Sequence, residues 1–147
     1  MGTIAAMSRA WSQINLAKEA MIVVSETQQD IIELNQDQLK SGELKTSQRI
    51  RPKYRNPYYA RKKNSQNPLP GLGTPDLRNT GDFYKGFTIR LQGDTGFDIT
   101  SKDSKTPDLV SKYSPDIFGL TQQSKGEYGT IMQPKLVQRI RTKTGAK

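Results

Sequence analysis

The longest regular feature of this sequence is an apolar stripe with helical period near its start. The stripe recurs every three or four positions through Ile4, Met7, Trp11, Ile14, Ala17, Met21, Val24, Ile31 and Leu34. Neither Gly nor Pro interrupts the sequence between Gly2 and Gly42, and Gly commonly ends helices. The pattern predicts one long helix over residues 1–40, which packs on its own domain or also on a neighbouring subunit.

Alternating apolar residues later in the chain predict a β-hairpin over residues 83–101. One face of the first strand carries Phe83, Phe87, Ile89 and Leu91, and the alternation resumes after a Gly-containing turn. A short helix is expected at 108–113 and a final helix from about 126. Pro134 sits inside that final helix, although helices tolerate proline only near the first turn. The fold class predicted is α+β: a long N-terminal helix on a small antiparallel sheet, an extended basic arm and a C-terminal helix.

The length suits a single domain over residues 1–147. After the long helix, residues 43–79 form a proline-rich segment, which we call the basic arm and expect to be extended. Residues 80–125 are expected to hold the hairpin and short helices, and residues 126–147 the C-terminal helix with a basic tail. Only 33% of the residues are hydrophobic, so a modest core is expected and part of the chain should pack on partners.

Positive charge is concentrated rather than spread. Residues 49–63 contain seven Lys or Arg and no acid, in a chain whose net charge is +9. Three tyrosines are interleaved with them, and the candidate contact residues are Arg49, Arg51, Lys53, Tyr54, Arg55, Tyr58, Tyr59, Arg61, Lys62 and Lys63. This pattern suits nucleic acid, an acidic protein surface, or a solvated loop whose tyrosines pack on their own domain.

Several classes of chemistry lack their usual side chains. The sequence has no Cys and no His, which removes thiolate nucleophiles, zinc–sulfur sites and the common base at neutral pH. Asp94, Asp98 and Asp103 do not match the spacing of a calcium loop. We therefore expect no enzyme activity, no cofactor and no metal. Uncharged runs are too short for a membrane span, and a soluble intracellular protein is expected.

Leu77, Thr80, Gly81 and Phe83 form a pattern of a leucine, two residues, Thr-Gly, one residue and a large apolar residue before a predicted strand. This pattern resembles the recurring element of the tail-completion or virion-morphogenesis proteins of tailed phages. The order of the motifs is most similar to the versions in crAss-like and related phages of Bacteroidetes. A later turn corresponds to Phe118, Gly119 and Leu120, although the aromatic-Ala pair of the family is absent here.

The resemblance implies a non-enzymatic virion protein in the head–tail neck or tail-completion ring. Its implied partners are further copies of itself, portal or adaptor proteins and tail proteins, with non-specific DNA contact and no membrane. It would be found in the virion, and in the host cytoplasm during assembly. Residues 43–75 are then expected to contact a neighbouring subunit. The alternative is a basic nucleic-acid-binding protein, associated with ribosomes or the nucleoid or packaged with the genome.

Overall fold

A computed structural model describes residues 14–94 and 96–145. In these ranges the chain forms six α-helices, one 3₁₀ turn and a two-stranded antiparallel sheet, which confirms the predicted α+β class. The elements are α1 (Leu16–Glu26), α2 (Gln28–Lys40), α3 (Pro57–Gln66), α4 (Asp82–Lys85), β1 (Phe87–Gln92), β2 (Gly96–Ser101), α5 (Thr106–Tyr113), the 3₁₀ turn (Pro115–Ile117) and α6 (Gln122–Thr144). None of the described helices is long and apolar enough to cross a membrane.

The single long N-terminal helix is not confirmed, because Thr27 separates α1 from α2. The backbone at Thr27 leaves helical geometry, with φ −116° and ψ 24°. Its hydroxyl donates to the Val23 carbonyl at 2.7 Å and pairs with the Tyr128 hydroxyl at 2.8 Å. The break between the two helices is therefore in direct contact with α6. The start of the predicted helix, with Ile4, Met7 and Trp11, lies outside the described residues.

The C-terminal helix starts earlier than predicted and contains Pro134 in its interior. α6 begins at Gln122 because Thr121 caps it, its hydroxyl accepting the Ser124 N–H at 3.1 Å. Pro134 lies inside the helix, as predicted, and beyond the first turn, the part of a helix where proline is normally tolerated. Proline removes one helical hydrogen bond, yet α6 is anchored on both sides of it. Tyr128 contacts Thr27 before the proline, and Arg139 binds Glu19 at 2.8 Å after it.

The predicted hairpin is confirmed, with Ile89 opposite Ile99 and both side chains buried. Its first strand begins at Phe87, whereas residues 83–85 belong to the short helix α4. The reason is Gly81, whose φ of +92° opens a helical turn before the strand can start. Phe83 thus leaves the strand and packs edge-on against Phe87, with ring centroids 5.1 Å apart.

Two amides of α2 fix the segment that follows α5. Asn35 is fully buried; its Nδ2 donates to the Ile117 carbonyl at 3.0 Å and its Oδ1 accepts the Gly119 N–H at 2.9 Å. Gln38 donates to the Gly119 carbonyl and accepts the Thr121 N–H, both at 2.8 Å. We call these four bonds the amide clamp. Both amides have hydrogen-bond partners, so their burial is tolerated. The four bonds also fix residues 117–121 in one position relative to α2.

The basic arm is folded rather than extended, which corrects the prediction. Residues 57–66 form α3, and Asn56 caps this helix by accepting the N–H groups of Tyr58 and Tyr59 at 2.9 and 3.3 Å. Proline is compatible with the first position of a helix, so Pro57 starts α3. Ile50 is fully buried in the core. The arm thus packs on its own domain, and the expected neighbour contact concerns its outward face.

Candidate functional site

A groove of about 710 Å³ lies between the loop before α3, α3 itself and the end of α5. Three cations, three tyrosines, a proline and an asparagine line it: Lys53, Arg55, Lys112, Tyr54, Tyr59, Tyr113, Pro52 and Asn56. We call it the basic groove. The described residues lining it include neither Asp nor Glu. Such a surface suits an anionic ligand that also has flat or apolar parts.

The loop before α3 is held in place by short polar contacts. The Tyr54 N–H donates to the Gly73 carbonyl at 2.9 Å, which ties this side of the groove to the glycine-containing loop. The rings of Tyr54 and Tyr59 meet edge to face, with centroids 4.9 Å apart and an interplanar angle of 86°. The cap at Asn56 sets where Tyr59 emerges from α3. Two of the three tyrosines are thus positioned by local structure.

The contribution of α5 was missed by the sequence analysis. Lys112 and Tyr113 end this helix, and the Lys112 Nζ lies 5.2 Å from the centre of the Tyr113 ring. One signal was available: Lys112-Tyr113 repeats the dipeptide Lys53-Tyr54. The two pairs are far apart in sequence, however, and charge counted by segment assigns them to different regions. Only the fold brings them to one groove.

The cations of the groove are not neutralised by the chain itself. In the part of the chain that the structure describes, no carboxylate lies within 4 Å of Lys53, Arg55 or Lys112. Burial, and then the charge of Asp76, raises the pKa of the Tyr54 hydroxyl well above its usual range. Tyr54 therefore keeps its proton where the protein is folded and adds no negative charge to the groove.

Other predicted contact residues surround the groove or support it. Tyr58 is 77% exposed, and the Arg61 guanidinium lies 5.2 Å from its ring centre. Arg49 donates to the Ser41 carbonyl at 3.0 Å and so caps the end of α2. Arg51 and Lys62 are exposed. These positions widen the positive surface beyond the groove.

Lys63 is the exception among the predicted contact residues, because it points into the protein. Its Nζ lies 2.8 Å from Asp76 Oδ1, and both side chains are almost completely buried. It also donates to the Arg78 carbonyl. Asp76 in turn accepts the Arg78 N–H and the Asn67 side-chain N–H, each at 3.1 Å. Lys63 is therefore a structural residue and is removed from the candidate surface.

The residues that carry the resemblance to phage proteins do not line the groove. Leu77 has a φ of +58° and Gly81 of +92°, and the Thr80 hydroxyl accepts the Asp82 N–H at 3.4 Å. Together they form the turn into α4. The other motif residues pack in the core or lie in the amide clamp: Phe83, Phe118, Gly119 and Leu120. The motif thus builds the fold, and the groove is a separate feature.

Comparison with protein families, curated proteins and solved structures finds no match to this chain. Within residues 14–94 and 96–145, no group of three or more His, Cys, Asp or Glu residues is placed to hold a metal ion.

Proposed function

We propose that this chain is a non-enzymatic structural protein of a tailed phage, a subunit of the head–tail neck or tail-completion ring. The observation that carries the proposal is the position of the family-like motif. Leu77, Thr80 and Gly81 form a turn that leads through α4 into β1. Phe118, from the later family-like turn, packs on that element with its ring 5.8 Å from Phe83. Two motifs distant in sequence therefore meet in one structural unit.

The small sheet supports assembly with further copies. Among the described residues the sheet has two strands, so β1 and β2 each keep one edge without a strand partner. Unpaired edges accept a strand or loop from another chain. Leu91, near the free end of the hairpin, is 44% exposed. A neighbouring subunit in a ring buries this end through a heterologous contact, in which two different surfaces meet.

The proposed partners follow from that position in the virion. Further copies of the chain form the ring, and portal or adaptor proteins and tail proteins lie above and below it. The exposed cations of the basic arm face acidic surfaces of these neighbours or the DNA in the channel. Before assembly the protein resides in the host cytoplasm.

The copy number of the chain in purified phage particles tests this proposal. Quantitative mass spectrometry should give a fixed small multiple of the portal ring symmetry. Hundreds of copies per particle would instead indicate a shell protein or a protein packaged with the genome. Absence from particles would contradict the proposal and favour the alternative, a free nucleic-acid-binding protein, for which the basic groove is the supporting observation.

A substitution at the hairpin tests the assembly surface directly. Leu91→Asp should leave the monomer folded, because the side chain is exposed, and should prevent incorporation into particles. The matched control is Leu16→Asp, at a leucine that is 54% exposed and lies outside both the hairpin and the basic arm. Equal incorporation of the two variants would contradict assembly through the hairpin. Circular dichroism of both variants verifies that they are folded.

A further inference from the structure

We infer that the basic groove binds single-stranded nucleic acid. Lys53, Arg55 and Lys112 contact the phosphates, and Tyr59 and Tyr113 provide the surfaces on which bases stack. The groove is complete within one chain, so the inference does not depend on ring formation.

The side chains that line the groove match what a single strand presents. A strand without a partner exposes both its phosphates and the flat faces of its bases, and proteins bind it with cations beside aromatic rings. Here each lysine that lines the groove is followed in sequence by a tyrosine that also lines it, in Lys53-Tyr54 and Lys112-Tyr113. The rings come from the loop before α3, from α3 and from α5, so successive bases meet more than one ring.

Duplex DNA and acidic proteins fit the groove less well. A duplex offers phosphates while its bases are stacked on each other, so tyrosines inside a groove contribute little to binding it. An acidic peptide can pair its carboxylates with the cations, but carboxylates do not stack on the tyrosine rings. The tyrosines therefore distinguish the ligands, whereas the cations alone do not.

The three cations of the groove favour binding of a polyanion, which can place several phosphates beside them. The three cations lie without a carboxylate within 4 Å among the described residues, so binding does not first break an internal ion pair. Asn56 caps the start of α3 at the same groove, and the positive end of that helix dipole adds to the positive potential there. Ion pairs with phosphates release counterions, which makes the affinity depend on salt.

Fluorescence anisotropy with the full chain and a labelled oligothymidylate of about 12 nucleotides measures the interaction. Tyr59→Ala and Tyr113→Ala should each weaken binding by about 5-fold to 150-fold, the range expected for losing one stacked base. Tyr59→Phe keeps the ring and should bind within about two-fold of the unmodified chain, since stacking needs no hydroxyl.

The contribution of the cations is read from the salt dependence. Removing Lys53, Arg55 and Lys112 together by substitution with Ala should make the slope of log affinity against log salt shallower by about 2. The matched control replaces Lys85, Lys102 and Lys135 with Ala, which removes the same charge from exposed positions outside the groove. The control should keep the original slope.

Four results would overturn the inference. The first is an equal loss of affinity in the groove variant and its charge-matched control. The second is that duplex DNA or polyglutamate competes with the labelled strand as effectively as unlabelled oligothymidylate does, while neither Tyr→Ala change alters the affinity. The third is competition by thymidine monophosphate at the same concentration, which would indicate a nucleotide pocket. The fourth is loss of binding in Tyr59→Phe with the fold intact by circular dichroism.

Discussion

Lys62 and Lys63 are adjacent in sequence and lie in opposite environments. The Lys62 side chain is exposed on α3, whereas that of Lys63 is only 11% exposed and pairs with Asp76, which is 5% exposed. Both contribute equally to the charge count of the basic arm, but one is available to a ligand and the other is not. The difference shows that the basic arm combines two roles: one set of cations holds the fold, and another covers its surface.

The same division extends to the rest of the molecule. Arg139 and Lys143 of α6 bind the two carboxylate oxygens of Glu19 at 2.8 and 2.6 Å and anchor the last helix on α1. Arg139 and Lys143, like Lys63, thus have acidic partners inside the chain. The cations of the basic groove do not, which is the arrangement expected where the partner is another molecule.

The largest effect on stability is expected when the buried pair is broken. Lys63→Ala leaves the Asp76 carboxylate buried without its cation and should lower the free energy of unfolding by about 3–5 kcal/mol. The matched control, Lys62→Ala, should change it by less than about 0.5 kcal/mol because the side chain is exposed. Urea unfolding followed by circular dichroism measures both. Similar free energies of unfolding for the two variants would mean that the buried Lys63 contributes no more to stability than the exposed Lys62.

A somewhat smaller loss is expected at the amide clamp. Asn35→Ala leaves the Ile117 carbonyl and the Gly119 N–H without their partner and should cost about 2–3 kcal/mol. Gln29→Ala on the same helix is the control, because this exposed amide contacts Glu33 at 3.3 Å and should matter by less than about 0.5 kcal/mol. The same urea titration compares them. A cost at Asn35 no greater than at Gln29 would show that the clamp is dispensable.

Elements defined by neighbouring residues could be predicted from the sequence. The hairpin follows from alternating apolar residues that pair Ile89 with Ile99, and the short helix near 108–113 was confirmed as α5. In each case the signal and the structure involve residues only a few positions apart.

Features that depend on distant residues could not be predicted. The break at Thr27 involves Tyr128, more than a hundred positions away, and the inward position of Lys63 involves Asp76 across a loop. The basic groove needs Lys112 beside Lys53, which only the packing of α5 provides. Local sequence patterns do not reveal contacts between distant residues. The basic segment could therefore be located from the sequence, but the cations that line one groove could not be identified.

The Glu19 anchor should make stability depend on pH, with a smaller effect because its cations lie partly in water. Hydrogen bonding from Lys143 is the main cause that lowers the pKa of the Glu19 carboxyl below its ordinary value of 4.5, and Arg139 adds to it. The unfolded chain therefore takes up the proton first. The stabilisation is present above pH 4.5 and is lost as the pH falls through the lower folded pKa.

Glu19→Gln tests this linkage, since glutamine does not titrate. Melting temperatures measured from about pH 6 to pH 3 should fall less steeply for Glu19→Gln than for the unmodified chain. Glu26→Gln is the control: that carboxylate is 56% exposed and lies 3.8 Å from Arg139, so the steeper fall should persist. Parallel curves for Glu19→Gln and the unmodified chain would show that other carboxyl groups determine acid stability.

The smallest effect on stability is expected at the basic groove, where the largest effect on binding is expected. Replacing Lys53, Arg55 and Lys112 with Ala removes no internal ion pair among the described residues, so each change should alter the free energy of unfolding by less than about 0.5 kcal/mol. Relief of repulsion between like charges can even make the triple variant slightly more stable. Urea unfolding of the triple variant beside Lys63→Ala makes the contrast quantitative. A loss in the triple variant comparable to that of Lys63→Ala would mean that these cations also serve the fold, and the distinction between paired and available charge would no longer hold.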